Sequence, residues 1–229
     1  MFKIRFVFTA LLTAAVFILV NCAGNSSSSH NAGGNTMNEE KSVIQRKAGL
    51  PKGSREIWLA GGCFWGMEKY MAGIQGVLAT SVGYANGIYA NGIHADGTAV
   101  SPTYEQVCTG TTGCAETVHV VYNPEKLHLT RLLELYMQAI EPTSLDRQGY
   151  DVGTQYRTGI YYGDKADLPV IQAVIDETQA QYSDPVVVEV KPVESYYLAE
   201  DYHQEYLKKN PDGYCHISDE LCVSAWNAR

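Results

Sequence analysis

The chain has 229 residues, of which 45% are hydrophobic and 18% are charged, as in soluble globular proteins. This length is sufficient for one well-buried domain with additional segments. The net charge of −8 is not accompanied by a basic cluster in the body of the chain, which argues against nucleic acid as a partner.

Residues 1–22 predict an export signal. Lys3 and Arg5 precede an apolar run over 6–20 that is too short for a comfortable membrane span. The run ends in Leu-Val-Asn-Cys, which resembles the lipoprotein box whose cysteine is lipidated and becomes the mature N-terminus. We therefore expect export to the bacterial cell envelope and membrane anchoring through a lipid on Cys22. The alternative is ordinary cleavage a few residues later, with loss of Cys22.

Residues 23–53 are rich in Ser, Asn and Gly, and large apolar residues are almost absent before Val43. Such a composition buries too little surface to offset the entropy of ordering, so it predicts a flexible linker. The remaining residues, 54–229, are predicted to form the folded domain.

Alternating strand-like and helix-like patterns predict an α+β fold. Strands are expected at 57–60, 77–84, 117–122, 158–162 and 186–193, and helices after residue 63, from 129 to 140 and over 165–182. The order β-α-β-β-α-β, with an added helix and strand, favours a two-layer sandwich with a ferredoxin-like split βαβ core. Pro211 and Gly213 predict an irregular C-terminal tail that holds Cys215 and Cys222.

The motif Gly-Cys-Phe-Trp-Gly at 62–66 lies between the first predicted strand and the first predicted helix. Cys63 would then stand at a helix N-terminus, where free N–H groups stabilise an anion and lower the thiol pKa. The motif therefore predicts a nucleophilic thiolate at Cys63. A buried structural cysteine among core aromatics is the alternative.

The cysteine count favours a reactive thiol over a purely structural disulfide framework. Six cysteines in an exported protein suggest disulfides at first. Once Cys22 is set aside, the number that remains is odd. These residues are Cys63, Cys108, Cys114, Cys215 and Cys222.

From residue 57 to residue 222 the sequence resembles the peptide methionine sulfoxide reductases of type A, beginning with the motif at 62–66. The resemblance implies an α+β fold and reduction of the S epimer of methionine sulfoxide, free or in proteins. It also implies that no metal or prosthetic group is needed, because a thioredoxin-like dithiol supplies the electrons. We expect the protein to act as a monomer.

Sulfoxide reduction needs a thiolate that attacks sulfur and an acid that protonates the oxygen. A carboxyl group that remains protonated near neutral pH meets the second need when it is held in an apolar pocket. Glu116, in Gly-Cys-Ala-Glu at 113–116, matches the catalytic acid of the family. The family usually has histidine where this chain has Cys114.

The resemblance also implies the residues that bind the substrate. Tyr104 and Tyr156 match the two tyrosines whose hydroxyls hold the sulfoxide oxygen, and Asp151 matches the aspartate of the site. Phe64 and Trp65 would form an apolar cradle for the methyl group of the substrate.

A sulfenic acid formed on Cys63 must be resolved by a second thiol. By resemblance, Cys215 is the resolving cysteine and Cys222 the recycling one, which implies a Cys63–Cys215 disulfide and then a Cys215–Cys222 disulfide. A permanent 215–222 disulfide is the alternative. Cys108 and Cys114 are expected to be non-essential.

Three other functions are also compatible with parts of the sequence. A cysteine peptidase would pair Cys63 with a histidine, for which His119, His128 and His203 are the candidates. A tethered, non-catalytic binding lipoprotein would use its tyrosine-rich surface. A metalloprotein would need a fourth ligand beside Cys215, His216 and Cys222.

Overall fold

The computed structural model describes residues 43–46, 49–87 and 101–228. The predicted export signal, Cys22 and most of the predicted linker lie outside these residues. Within the described ranges, no helix has both the length and the apolar character needed to cross a bilayer.

The described residues form nine strands and six α-helices. The strands are β1 (Val43–Ile44), β2 (Arg55–Gly61), β3 (Val77–Ala85), β4 (Ala115–Tyr122), β5 (Arg147–Gln148), β6 (Asp151–Val152), β7 (Thr158–Tyr162), β8 (Glu189–Pro192) and β9 (Ser195–Leu198). The helices are α1 (Phe64–Ala72), α2 (Tyr104–Cys108), α3 (Leu129–Gln138), α4 (Leu168–Gln179), α5 (Tyr206–Lys209) and α6 (Asp219–Asn227).

Seven of the described strands form one sheet in the order β1-β9-β3-β4-β2-β7-β8. Within the run β3-β4-β2-β7, each pair of adjacent strands is antiparallel, whereas β8 lies parallel to β7. The β2-α1-β3 unit has β4 inserted between its strands, and the β4-α3-β7 unit has β2 inserted between its strands. These are two interlocked split βαβ units, so the α+β prediction is confirmed.

The helices cover one face of the sheet. Leu59 pairs with Val118, and Ile57 pairs with Val120, so their side chains share the face on which Met67 of α1 and Leu133 of α3 are buried. A smaller apolar cluster around Trp58, Tyr161 and Tyr196 lies on the opposite face. β2 and β4 are thereby buried on both faces. This burial holds in place the end of β2 and the start of β4, where the candidate site lies.

The prediction of an irregular C-terminal tail is wrong for most of that tail. β9 pairs with β3, α5 follows, and Cys222 lies on α6. Ser218 starts α6 because its hydroxyl accepts a hydrogen bond from Leu221 N at 3.2 Å, and acidic residues occupy the first turn. Cys215 alone lies in irregular chain between α5 and α6.

The flexible-linker prediction is also wrong at residues 43–46. β1 lies parallel to β9, with Ile44 opposite Tyr196. The guanidinium of Arg46 binds both carboxylate oxygens of Glu56, at 2.9 and 2.6 Å. The local composition gives no sign of this attachment, because it depends on strands that are distant in sequence.

Candidate active site

Cys63 lies where β2 gives way to α1. β2 ends at Gly61, and Cys63 is the residue immediately before the first turn of α1. Gly62 makes the turn with φ of +77°, and a Cβ there would lie 2.7 Å from the Gln148 side chain. The N–H groups of Trp65 and Gly66 are directed at the Cys63 sulfur.

The prediction of a lowered Cys63 pKa is wrong. Cys63 is only 8% exposed, and burial raises the pKa of its thiol, with a further increase from the Glu116 charge. The helix N–H groups oppose this shift without reversing it. The resting sulfur is therefore a protonated thiol just beneath the surface.

Glu116 lies near the start of β4 and is 1% exposed. Its Oε2 accepts a hydrogen bond from the backbone N–H of Phe64 at 3.0 Å, which places the carboxyl beside Cys63. Burial raises the pKa of Glu116 to about 8, although the Phe64 N–H opposes the shift. The carboxyl is neutral at neutral pH, which is the state that a proton donor to the sulfoxide oxygen requires.

One wall of the site depends on a carboxylate that the sequence did not single out. Tyr84 is opposite Glu116 in the sheet and donates its hydroxyl proton to Glu200 Oε2 at 2.7 Å. The other oxygen of Glu200 accepts from the backbone N–H of Tyr104 at 3.0 Å. Glu200 thus ties the first residue of α2 to β3.

The start of α2 is set locally by a capping box, which the sequence analysis overlooked. The Thr103 hydroxyl accepts from Gln106 N at 3.3 Å, and the Gln106 side chain accepts from Thr103 N at 2.9 Å. This reciprocal pair fixes the backbone from which the Tyr104 side chain extends. The Thr-x-x-Gln spacing in the sequence was the available signal.

The two predicted oxygen-binding tyrosines and the aspartate meet at the same site. Burial raises the pKa values of Tyr104 and Tyr156, and the Glu116 charge raises both further. Both hydroxyls are therefore proton donors at neutral pH. The Asp151 charge in turn raises the pKa values of Cys63 and Glu116, and Asp151 accepts a 3.0 Å hydrogen bond from the Tyr214 hydroxyl.

Phe64 and Trp65 differ in their accessibility. Phe64 is 1% exposed and packs against Tyr84 and His203, so it forms the floor of the site rather than an open wall. Trp65 is half-buried and stacks on Tyr206 with ring centroids 3.8 Å apart. Its indole N–H donates to His203 Nδ1 at 2.9 Å.

His203 and Tyr206 are therefore site residues whose placement the sequence analysis missed. His203 is 1% exposed, and its ring contacts those of Phe64, Trp65 and Tyr104. Burial lowers the pKa of His203, so the ring is neutral and its Nδ1 accepts the indole proton. The tyrosine-rich run around these residues was a signal for a packed aromatic wall.

The two predicted relay cysteines lie against the first helix. A Cβ on Gly66 would be 3.2 Å from Cys215 Sγ, so the absence of a side chain there admits the sulfur close to the start of α1. Cys215 is half-buried, whereas Cys222 on α6 is 1% exposed. All five cysteines in the described part of the chain are free thiols.

Cys108 and Cys114 occupy different environments. Cys108 is exposed on α2, where burial raises the pKa of its thiol and interaction with the Tyr104 side chain lowers it. Cys114 is buried just before β4, and burial raises the pKa of its thiol. The described residues hold no group of three or more His, Cys, Asp or Glu side chains arranged to bind a metal ion.

The family model for peptide methionine sulfoxide reductase matches residues 55–228, which contain every described side chain of the candidate site. The chain belongs to the peptide methionine sulfoxide reductase family. The sequence resemblance is thereby confirmed, and with it the enzyme class, an oxidoreductase that acts on peptide methionine (S)-sulfoxide.

Relatives and solved structures agree with this assignment. The chain is 50% identical to a peptide methionine sulfoxide reductase MsrA of Lachnoclostridium phytofermentans over 76% of this chain and 99% of that protein. It is 52% identical to one from Clostridium botulinum over 71% of this chain and 98% of the relative. The crystal structure of Mxr1 from Saccharomyces cerevisiae in reduced form has a TM-score of 0.70 at 33% identity and covers 77% of this chain and 97% of its own. Methionine sulfoxide reductase A of Corynebacterium diphtheriae has a TM-score of 0.62 at 36% identity, and the match covers 72% of this chain and 79% of that protein.

Two of the three histidines that a cysteine peptidase would have needed have structural partners instead. His119 is hydrogen-bonded to Glu56 at 2.9 Å and stacks on Trp58. His203 uses Nδ1 to accept from Trp65. Both rings thus have structural partners, and the acid beside Cys63 is Glu116.

Proposed function

We propose that this protein reduces the S epimer of methionine sulfoxide, free or within oxidised proteins, by attack of Cys63 on the sulfoxide sulfur. The observation that carries the proposal is the buried carboxyl of Glu116, which is protonated up to about pH 8 and hydrogen-bonded to the residue after Cys63. A neutral acid next to a thiol provides the two groups that this reaction needs.

In the proposed reaction, the hydroxyls of Tyr104 and Tyr156 hold the sulfoxide oxygen while Glu116 gives it a proton. The Cys63 sulfur attacks the substrate sulfur and loses its own proton to the Glu116 carboxylate. The oxygen then passes to Cys63, so that methionine leaves and the enzyme carries a sulfenic acid. Glu116 ends protonated, as it began, and Cys63 has been oxidised by two electrons.

The raised pKa of Cys63 fits this order of events. Because burial holds the proton on the resting thiol, the free enzyme carries little thiolate to react with other oxidants. Once Glu116 has given up its proton, its carboxylate is the adjacent base that accepts the proton of the thiol. The substrate itself thus triggers activation of the nucleophile.

We further propose that Cys215 resolves the sulfenic acid with release of water and that Cys222 then takes over the disulfide. The position of Cys215 Sγ, 3.2 Å from a Cβ placed on Gly66, supports the first exchange. A thioredoxin-like dithiol would reduce the final Cys215–Cys222 disulfide. A permanent disulfide between these two cysteines is the competing arrangement.

Turnover tests the proposed chemistry directly. The wild-type enzyme, assayed with dithiothreitol on separated epimers of N-acetylmethionine sulfoxide, is expected to consume only the S form. Cys63→Ser is expected to be inactive, and Glu116→Gln to lose about two to four orders of magnitude in kcat. Full activity of Cys63→Ser would contradict the proposal.

Thiol counting tests the relay. In one turnover without reductant, the enzyme should lose two thiols, and peptide mapping should find them at Cys215 and Cys222. Cys108 and Cys114 serve as internal controls because their thiols should remain. A Cys222 thiol that stays free would overturn the relay, and a 215–222 disulfide present before turnover would favour the permanent one.

We also propose that the protein is exported and held at the cell envelope by a lipid on Cys22, ahead of the predicted linker of residues 23–53. The support is the sequence of the first 22 residues. Metabolic labelling with a fatty acid should mark the wild type and spare Cys22→Ser, which should fractionate away from membranes. Equal membrane recovery of both would contradict the anchor.

A further inference from the structure

One face of α1, from its first turn to its last, packs against the C-terminal segment of the chain. Gly66, Lys69 and Gly73 follow one another at helical spacing on that face. Gly66 admits Cys215, and Lys69 Nζ lies 2.6 Å from Asp219 Oδ1 in the first turn of α6. Trp226, near the end of α6, packs on Gly73 and donates its indole proton to Tyr70 O at 2.9 Å.

Lys69 is placed where the relay needs a cation. Asp219 and Cys222 are three residues apart and share a face of α6, so the ammonium group that binds Asp219 also lies toward the buried Cys222. The charges of Cys215 and Cys222 both act on Lys69. This cation therefore interacts with the charges of both proposed relay sulfurs.

Cys222 is otherwise unsuited to act as a nucleophile. Burial raises the pKa of its thiol to about 11, and the charges of Cys215 and Asp219 add to the increase, whereas Lys69 opposes it. Tyr70 of α1 also interacts with Cys222, and burial keeps Tyr70 protonated by raising its pKa to about 12. Lys69 is thus the charged side chain that favours a thiolate at this position, beside the backbone N–H of Cys222 itself.

The ion pair itself adds little to the stability of the fold. The Asp219 side chain is 80% exposed, and exposed pairs of this kind contribute little because water screens them. The contacts of Trp226 hold α6 to α1 independently of this pair. The location of Lys69 is therefore better explained by the sulfurs beside it than by the docking of α6.

We propose that Lys69 is a positioning residue of the disulfide relay, whose ammonium group stabilises the thiolate of Cys222 as it attacks the Cys63–Cys215 disulfide. The inference rests on the relay proposed above. In this step a Cys222–Cys215 bond forms and the Cys63–Cys215 bond breaks, with the electron pair passing to Cys63. Solvent takes the proton of Cys222 and returns one to Cys63, so no net oxidation occurs.

The experiment compares two variants that break the same ion pair in opposite ways. Lys69→Met removes the cation, whereas Asp219→Asn leaves the cation and removes the anion. Reduced enzyme is mixed with N-acetylmethionine S-sulfoxide without reductant at pH values between 6 and 12, quenched in acid at intervals, and mapped for disulfides. The methionine released in the same samples reports the chemistry at Cys63 separately.

At pH 7, Lys69→Met is expected to slow the appearance of the Cys215–Cys222 disulfide about tenfold, the effect of one pKa unit on the thiolate fraction, and to move the pH midpoint upward. Lys69→Arg should restore the rate to within about twofold, because a cation remains. Asp219→Asn should keep the wild-type rate or exceed it. A purely structural ion pair predicts instead that both losses slow the exchange equally at an unchanged midpoint.

The outcomes separate this inference from the proposed function. A normal methionine release with an exchange rate that does not depend on Lys69, or equal slowing by Lys69→Met and Asp219→Asn, would overturn the role of Lys69 alone. Absence of methionine release from the wild type would overturn the proposed function together with the relay. Should Lys69→Met fold poorly, Lys69→Gln provides the same loss of charge with a polar side chain.

Discussion

The carboxyl oxygen Oε2 of Glu116 accepts a hydrogen bond from the backbone N–H of Phe64 at 3.0 Å across 52 residues of sequence. This bond joins the start of β4 to the first turn of α1, and so holds the acid beside the sulfur of the preceding residue. The same N–H opposes, but does not overcome, the burial that keeps the carboxyl protonated. This one hydrogen bond therefore affects both the position of Glu116 in the fold and its pKa, and both effects can be measured.

The pH dependence of the first turnover should follow Glu116. Because burial raises the pKa of this carboxyl to about 8, its protonated fraction, and with it the rate of methionine release, should fall as the pH rises through 8. Stopped-flow or quenched-flow measurement between pH 6 and 10 tests this expectation. Glu116→Gln should be slow at every pH and lack this limb, whereas a limb that persists in Glu116→Gln would assign it to another group.

The same residue should lower the stability of the fold at high pH. The folded-state pKa of Glu116 is raised from 4.5 to about 8, so the folded protein binds the proton more tightly than the unfolded chain does. Stability is therefore lost as the pH rises from about 4.5 to 8, by an upper bound of about 4–5 kcal/mol. Urea unfolding should show that Glu116→Gln gains on the wild type over this interval, by at most about 4–5 kcal/mol, because the cost of burying the amide is the same at every pH.

The relative stability at pH 4.5 is the internal control for that series, because both proteins then carry a neutral side chain. A stability difference that does not change between pH 4.5 and 9 would contradict the raised pKa. In that case the catalytic placement of Glu116 would not lower the free energy of unfolding at high pH.

Gly66→Ala should uncouple the two halves of the proposed cycle. The new Cβ would lie 2.8 Å from His216 Nδ1 and 3.2 Å from Cys215 Sγ, so the tail must move away from α1. Alanine is the better helix former by about 1 kcal/mol, so a loss of function cannot come from a weakened helix. We expect near-normal release of the first methionine and at least about tenfold slower formation of the Cys63–Cys215 disulfide, measured by quench and mapping. If Gly66→Ala formed the Cys63–Cys215 disulfide as fast as the wild type does, the close approach of Cys215 to α1 would be contradicted.

Arg46→Ala tests whether the segment before the catalytic domain contributes to its stability. Burial opposes ionisation of Glu56, but hydrogen bonds from Arg46 and His119 outweigh it and lower the pKa of that carboxyl to about 2. A lowered folded-state pKa gives stability that is present above the unfolded value near 4.5 and is lost as the pH falls through 2. Arg46→Ala should therefore cost about 1 kcal/mol at pH 7, and the cost should shrink toward pH 2.

Arg131→Ala is the matched control for this measurement. It breaks an exposed ion pair with Glu134 within α3, which should change the free energy of unfolding by less than about 0.5 kcal/mol. If the two variants lose the same stability, the attachment of residues 43–46 to the sheet adds nothing.

The sequence by itself determined the position of the candidate nucleophile, the helix that begins after it, and the order of strands and helices in the split βαβ core. These follow from local patterns, since a glycine turn, a buried strand and a helical period each act over a few neighbouring residues. The start of α6 is also encoded locally, by Ser218 as the cap and the acidic residues that follow it. The helix breakers Pro211 and Gly213 nevertheless led to the prediction of an irregular tail.

Only the tertiary structure decided how the site is charged and enclosed. The helix N-terminus at Cys63 predicted an acidic thiol, yet the layers packed around it bury the sulfur and raise its pKa instead. The same packing brings His203 to Trp65 and Lys69 to Asp219, across more than a hundred residues in each case. Burial and long-range contacts depend on how elements pack against one another, and no local pattern contains that information.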